Sequence, residues 1–172
     1  MKIPWYIHGN WKLDSTQLQT LEEKTIEIGV KNKEQYVTTY HNKDEDLQHL
    51  SFLHDFYKDR VDEIAKDQFF FNTSLIYFDF WIQVYNELSS HPIHDHFGCG
   101  DDVVLSFVHF LKPVDICFEF TDERQSLVPQ QKEGDLIVFP SYVTHRVKEH
   151  NSNENRIVVA GNIKIAKHIE LS

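Results

Sequence analysis

The sequence predicts a mainly β protein of the α+β class: a sandwich or barrel of short strands, braced by helices that precede it in the chain. Two observations predict this. Before residue 70 the apolar residues recur at helical spacing; after it they fall in short runs rich in Val, Ile, Phe and Tyr, separated by turn-prone residues. The chain has 172 residues, with 13% aromatic residues and only 6 Gly and 5 Pro. That suits one packed domain without linkers or repeats. Residues 1–70 form the helical support region of that domain and 71–172 its β core.

The first helix is "STQLQTLEEKTIEIGV", with Ser15 as N-cap and Leu18, Leu21, Ile26 and Val30 along one stripe. The second is "DEDLQHLSFLHDFYKDRVDEIAKD", where Leu47, Leu50, Leu53, Phe56, Tyr57, Val61 and Ile64 share a face. Strands follow in "SLIYFDFWIQVYNEL", "DVVLSFVHFL", "DICFEF", "GDLIVFP", "HRVKEH" and "NRIVVAGNIKIA". The polar segment "TDERQSLVPQQKEG" between strands reads as an exposed loop, and as a candidate substrate-facing one.

Composition narrows the function. A formal net charge of −10 opposes a phosphate backbone, so no nucleic-acid partner is expected. The two cysteines, Cys99 and Cys117, have no spacing that suggests a disulfide framework or zinc knuckle. The N-terminus lacks the apolar core of a signal peptide, and no apolar run is long enough to span a bilayer. A cytoplasmic protein with reduced thiols, and no membrane partner, is the expectation.

Chemistry concentrates in "HPIHDH", residues 91–96. Alternate residues of a strand point to one side. His94 and His96 then project together, Asp95 points away, and His91 belongs to the lead-in before Pro92. A third ligand must come from elsewhere, and His145 in "GDLIVFPSYVTHRV" is the best candidate. Taken alone, H-x-H is a weak signal, more often a histidine-rich loop than a metal site. Arg156 opens a strongly apolar strand whose alternation puts Arg156, Val158, Ala160 and Asn162 on one face. It either pairs with a surface acid or anchors a carboxylate through two parallel hydrogen bonds.

The order W-I-Q-V-Y, H-D-H, "LSFVHFLK", "GDLIVFPSYVTHRV", "NRIVVAGNI" resembles the core of the 2-oxoglutarate/Fe(II)-dependent oxygenases, in particular small prolyl-hydroxylase-like bacterial and phage-type members. The resemblance covers residues 78–164. It implies a double-stranded β-helix, or jelly roll, with the N-terminal helices as buttress. It implies Fe(II) on His94, His96 and His145, and 2-oxoglutarate with its distal carboxylate on Arg156. The reaction it implies is hydroxylation of a peptidyl or small-molecule substrate, with release of succinate and CO2. Phe110 falls where such proteins often carry a tyrosine that touches the cosubstrate; Val158 and Asn162 are expected to line its pocket.

One departure stands out. His96 occupies the position at which that family usually has a carboxylate, which leaves the metal's full charge on three neutral imidazoles. Asp95, on a bulged strand, or Asp101, from the following loop, are the alternate ligands. Two rival readings use the same residues. A cupin-type metal dioxygenase or isomerase resembles H-x-H with Asp101 beyond it and Gly134, Pro140 and His145 downstream, but has no need of Arg156. A non-catalytic jelly-roll binding module would carry its histidines as remnants.

Overall fold

The computed structural model describes residues 6–43, 47–69, 76–99, 103–122, 124–149 and 151–165. In chain order the elements are β1 (Tyr6–His8), α1 (Ser15–Ile28), β2 (Val30–Lys31), β3 (Val37–Thr38), a 3-10 turn (Gln48–Leu50), α2 (Phe52–Phe69), β4 (Ile76–Tyr85) and β5 (His91–His94). They continue as β6 (Val103–Lys112), β7 (Phe118–Thr121), β8 (Ser126–Leu127), β9 (Leu136–Pro140), β10 (His145–Val147) and β11 (Arg156–Ile165). The strands make a seven-stranded sheet, β1-β9-β6-β11-β4-β3-β2, and a four-stranded sheet, β5-β10-β7-β8, with antiparallel pairing. This is the predicted jelly roll of two facing sheets.

The large sheet has two different faces because β4, β6 and β11 are buried on both sides. One face packs on the helices through Leu21, Leu53, Tyr57, Val61 and Ile64 against Ile82, Phe107 and Val159. The other meets the small sheet through Tyr85, Val108, Phe110 and Val158 against Phe118, Phe120 and Val147. The second interface is the inside of the jelly roll and carries the site.

The N-terminal third differs from the helical region expected. It contributes β1, β2 and β3 to the large sheet as well as two helices. Asp14, not Ser15, caps α1: its carboxylate accepts from Gln17 N–H at 2.8 Å and the Gln17 side chain returns a bond to Asp14 N–H at 3.1 Å. The helix ends before Gly29, so the stripe stops short. Leu21 and Thr25 are buried, whereas Ile26 and Val30 are about half exposed. The segment "TDERQSLVPQQKEG" supplies β8 at the edge of the small sheet, and its Gln130, Lys132 and Glu133 line a surface cavity with Gly9, Asn10 and Lys12 rather than the histidine site. Gln131 in the same segment accepts from Phe118 N–H at 2.9 Å and donates to Phe118 C=O at 2.7 Å.

Candidate metal centre

Strand pairing brings the histidines together. His94 ends β5 and is the register partner of His145, which opens β10. His96 lies two residues beyond the end of β5, so strand alternation does not place it. Its backbone N–H donates to Ser141 C=O at 2.9 Å, and this turns its side chain inward. One nitrogen from each of His94, His96 and His145 lies within 4.8 Å of the other two.

Hydrogen bonds select which nitrogen is free. His94 Nδ1 donates to Pro92 C=O at 2.8 Å, His145 Nδ1 to Val143 C=O at 3.0 Å, and His96 Nδ1 to Asn162 Oδ1 at 2.6 Å. Each ring spends its single N–H on a protein oxygen, which leaves three Nε2 lone pairs. Burial pushes all three imidazoles below their ordinary pKa. The neutral form, the one that ligates, is therefore favoured.

The remaining candidates sort themselves. Asp95 is exposed and its carboxylate accepts from Phe97 N–H at 3.0 Å, so the geometry draws it away from the triad. Asp101 lies outside the described residues. Among the described residues no carboxylate joins the cluster.

His91 is not in a lead-in loop; it belongs to β5 and lines the site. Its ring stacks on His94 with centroids 4.1 Å apart. Both its nitrogens are engaged in one directional chain. Tyr36 O–H donates to His91 Nε2 (3.4 Å), His91 Nδ1–H donates to Tyr85 Oη (3.3 Å), and Tyr85 O–H donates to Gln83 Oε1 (3.1 Å). Burial, then the neighbouring His94 and His96, pushes His91 down to about 3, and burial pushes the Tyr36 phenol up to about 12. The chain is neutral at pH 7 and leaves His91 no lone pair for a metal.

Arg156 begins β11 and is completely buried. Its Nε, Nη1 and Nη2 have no hydrogen-bond partner among the described residues. Its guanidinium lies 5.1 Å from the Tyr85 ring centroid and 5.6 Å from that of Phe110. An unpaired buried cation costs several kcal/mol, of which ring faces return only part. Arg156, Tyr85, Gln83, Val158, His94, His96 and His145 line one small cavity of about 30 Å³. Phe110 packs beside the guanidinium without lining this cavity. Asn162 also lies elsewhere. It lines a second, wider cavity of about 330 Å³ with Tyr36, Tyr40, Trp81 and Cys99. The two cavities share Trp81, Gln83, His91, His94 and His96 as a common wall.

Sequence reasoning missed Tyr85, Gln83 and Trp81. The signal was present: Trp81, Gln83 and Tyr85 alternate along "WIQVY" and so share one face of β4.

Residues 102–162 match a family model described as "Putative 2OG-Fe(II) oxygenase". The match spans His145 and Arg156 but not His94 or His96. No curated protein matches the sequence. Among solved structures, the chain is similar to a prolyl-4-hydroxylase from Pseudomonas putida, at 17% identity and TM-score 0.63, with 95% of this chain and 93% of that one covered. It is similar to EvdO2 from Micromonospora carbonacea var. aurantiaca complexed with 2-oxoglutarate, at 11% identity and TM-score 0.71, over 98% and 89%. A prolyl hydroxylase from Trichoplax adhaerens, in complex with a hypoxia inducible factor peptide, matches at 12% identity and TM-score 0.63, over 94% and 83%. At these identities the structural likeness speaks for the fold.

Proposed function

We propose that this chain, whose residues 102–162 match the family model and whose fold is that of the similar structures, is a 2-oxoglutarate/Fe(II)-dependent oxygenase that hydroxylates an uncharged group of a peptide or small molecule lodged in the wider cavity. The observation that carries this is Arg156, buried and without a hydrogen-bond partner among the described residues, lining the same small cavity as the histidine triad. A cupin-type or purely structural jelly roll has no use for such a cation. A dianion that pairs with Arg156 and reaches the triad resolves both features at once.

His94, His96 and His145 would hold Fe(II) through Nε2, and Arg156 would hold the distal carboxylate of 2-oxoglutarate. When bound, the two supply an oxidant: dioxygen is consumed, 2-oxoglutarate becomes succinate and CO2, and a substrate C–H gains a hydroxyl. The chain's own residues do the rest. Arg156, already desolvated, binds a carboxylate with little reorganisation. Val158 keeps water from the small cavity, while the Tyr36–His91–Tyr85–Gln83 chain holds the shared wall rigid. Trp81, Tyr36 and Tyr40 give the wider cavity flat apolar walls suited to the substrate's reacting group.

The test is turnover of 2-oxoglutarate by Fe(II)-loaded protein, followed as succinate. Succinate formation that needs both Fe(II) and dioxygen, and that is lost in His145→Ala and Arg156→Met, supports the reading. Protein that binds Fe(II) but forms no succinate above the His145→Ala background refutes it.

A further inference from the structure

His96 is anchored at two points, its backbone and its ring. Its backbone is tied to Ser141, in the turn between β9 and β10, by the 2.9 Å bond described above. Its ring crosses to the large sheet. There Nδ1 lies 2.6 Å from Asn162 Oδ1 on β11 and 2.9 Å from Ser106 Oγ on β6. Ser106 and Asn162 are register partners across the β6–β11 pair, and Ser106 O–H donates to Asn162 Oδ1 at 3.1 Å. All three residues are buried, with Ser106 at 0%, Asn162 at 4% and His96 at 6% exposure. Solvent therefore has little access with which to replace these bonds.

A neutral imidazole has one N–H. If Asn162 presents its oxygen, the proton sits on Nδ1 and the Nε2 lone pair faces His94 and His145. If the amide is reversed, its N–H donates to Nδ1, the proton moves to Nε2 and the ligand is lost. The Ser106 hydroxyl, donating to Oδ1, favours the first arrangement. We propose that Ser106 and Asn162 are positioning residues that make His96 a metal ligand by fixing its proton on Nδ1. This rests on the metal-centre reading above and deepens it.

The residue that replaces the usual carboxylate is thus accompanied by its own supporting pair on two other strands. The three-imidazole centre is a built arrangement rather than an eroded one. It also moves Asn162 from the cosubstrate pocket to the back of a ligand. Neutral nitrogen donors of this kind suit Fe(II), Co(II), Ni(II) and Zn(II) better than Mn(II) or Mg(II).

The experiment titrates Co(II) and Zn(II) into the full chain by calorimetry and records the visible spectrum of the Co(II) form. Asn162→Leu, which keeps the volume and removes the acceptor, is expected to weaken both metals about 10–100-fold and to change the Co(II) bands. Asn162→Asp can only accept, so it keeps affinity within about threefold of wild type by the same argument. Ser106→Ala is read in parallel, with a several-fold loss expected, and stands in if Asn162→Leu does not fold. Wild-type affinity in both Asn162→Leu and Ser106→Ala, or equal losses in Asn162→Asp and Asn162→Leu, would overturn the proposal while the centre itself stands. Retention of metal by His145→Ala would overturn the centre, and the proposal with it.

Discussion

Arg156 and Tyr85 are register partners at the start of β11 and the end of β4, with the guanidinium 5.1 Å from the phenol ring. The ring face steadies a cation that has no hydrogen-bond acceptor among the described residues. Two opposite consequences follow from one substitution. Arg156→Met should raise the dissociation constant for 2-oxoglutarate by at least about 100-fold, the loss of a buried charge-assisted pair. The same change should not lower the unfolding free energy of cosubstrate-free protein, and by the behaviour of unpaired buried charges should raise it by about 1–3 kcal/mol. Calorimetry with 2-oxoglutarate and urea denaturation without it measure the two signs. A fall in both would mean that Arg156 is structural.

The histidines should separate cleanly by which nitrogens they have free. His145→Ala is expected to abolish Zn(II) binding. His91→Ala should change it by less than about threefold, since His91 meets the ligands only by stacking on His94 and gives its hydrogen bonds to Tyr36 and Tyr85. Parallel titrations check this; equal losses would mean the ligand set is misassigned.

Acid sensitivity of the fold should trace in part to His109, far from the metal centre. It is buried on the helix-facing side of β6, paired with Tyr57 Oη at 2.7 Å, and burial pushes it down to about 3. Its folded pKa lies below the unfolded value of about 6.5, so the unfolded chain binds the extra proton. Its contribution is therefore complete above pH 6.5 and is lost as pH falls from 6.5 toward 3. At pH 4.5 the loss is about 2–3 kcal/mol. His109→Gln should flatten the difference in unfolding free energy between pH 7 and pH 4.5 by that amount. An unchanged difference would exclude His109 as the source.

Gly161 occupies the middle of β11, where a Cβ would come within 2.4 Å of Asp79 C=O and of the Phe107 ring. Neither neighbour can retreat cheaply, because one is backbone in β4 and the other is core. Gly161→Ala should cost about 2–4 kcal/mol, seen as a lower denaturation midpoint.

The β core and most of the histidine cluster were legible because they depend on residue type and short spacing. His94, His145 and Arg156 sit where strand patterns suggest. His96 reached the site by a different route, a backbone bond to Ser141 that no local pattern encodes. The pairings Arg156–Tyr85 and Ser106–Asn162 are set by long-range register, which one sequence does not display. For the same reason β2 and β3 escaped notice: two residues carry no period. The α1 stripe failed at Val30 because Gly29 ends the helix before it, and at Ile26 because Thr25, four residues after Leu21, takes the buried position.

β5 is the outer strand of the small sheet and holds His94 and His91. Such a border displays a row of unpaired amides and carbonyls to any neighbouring chain. A metal that joins His94 to His145 and to His96 would staple this border to the interior. Stripping the ion should then loosen the rim first, with 91–99 the earliest segment cut by a protease and the metal-free protein the more prone to self-association. Colloidal behaviour, not only turnover, would report whether the centre is filled.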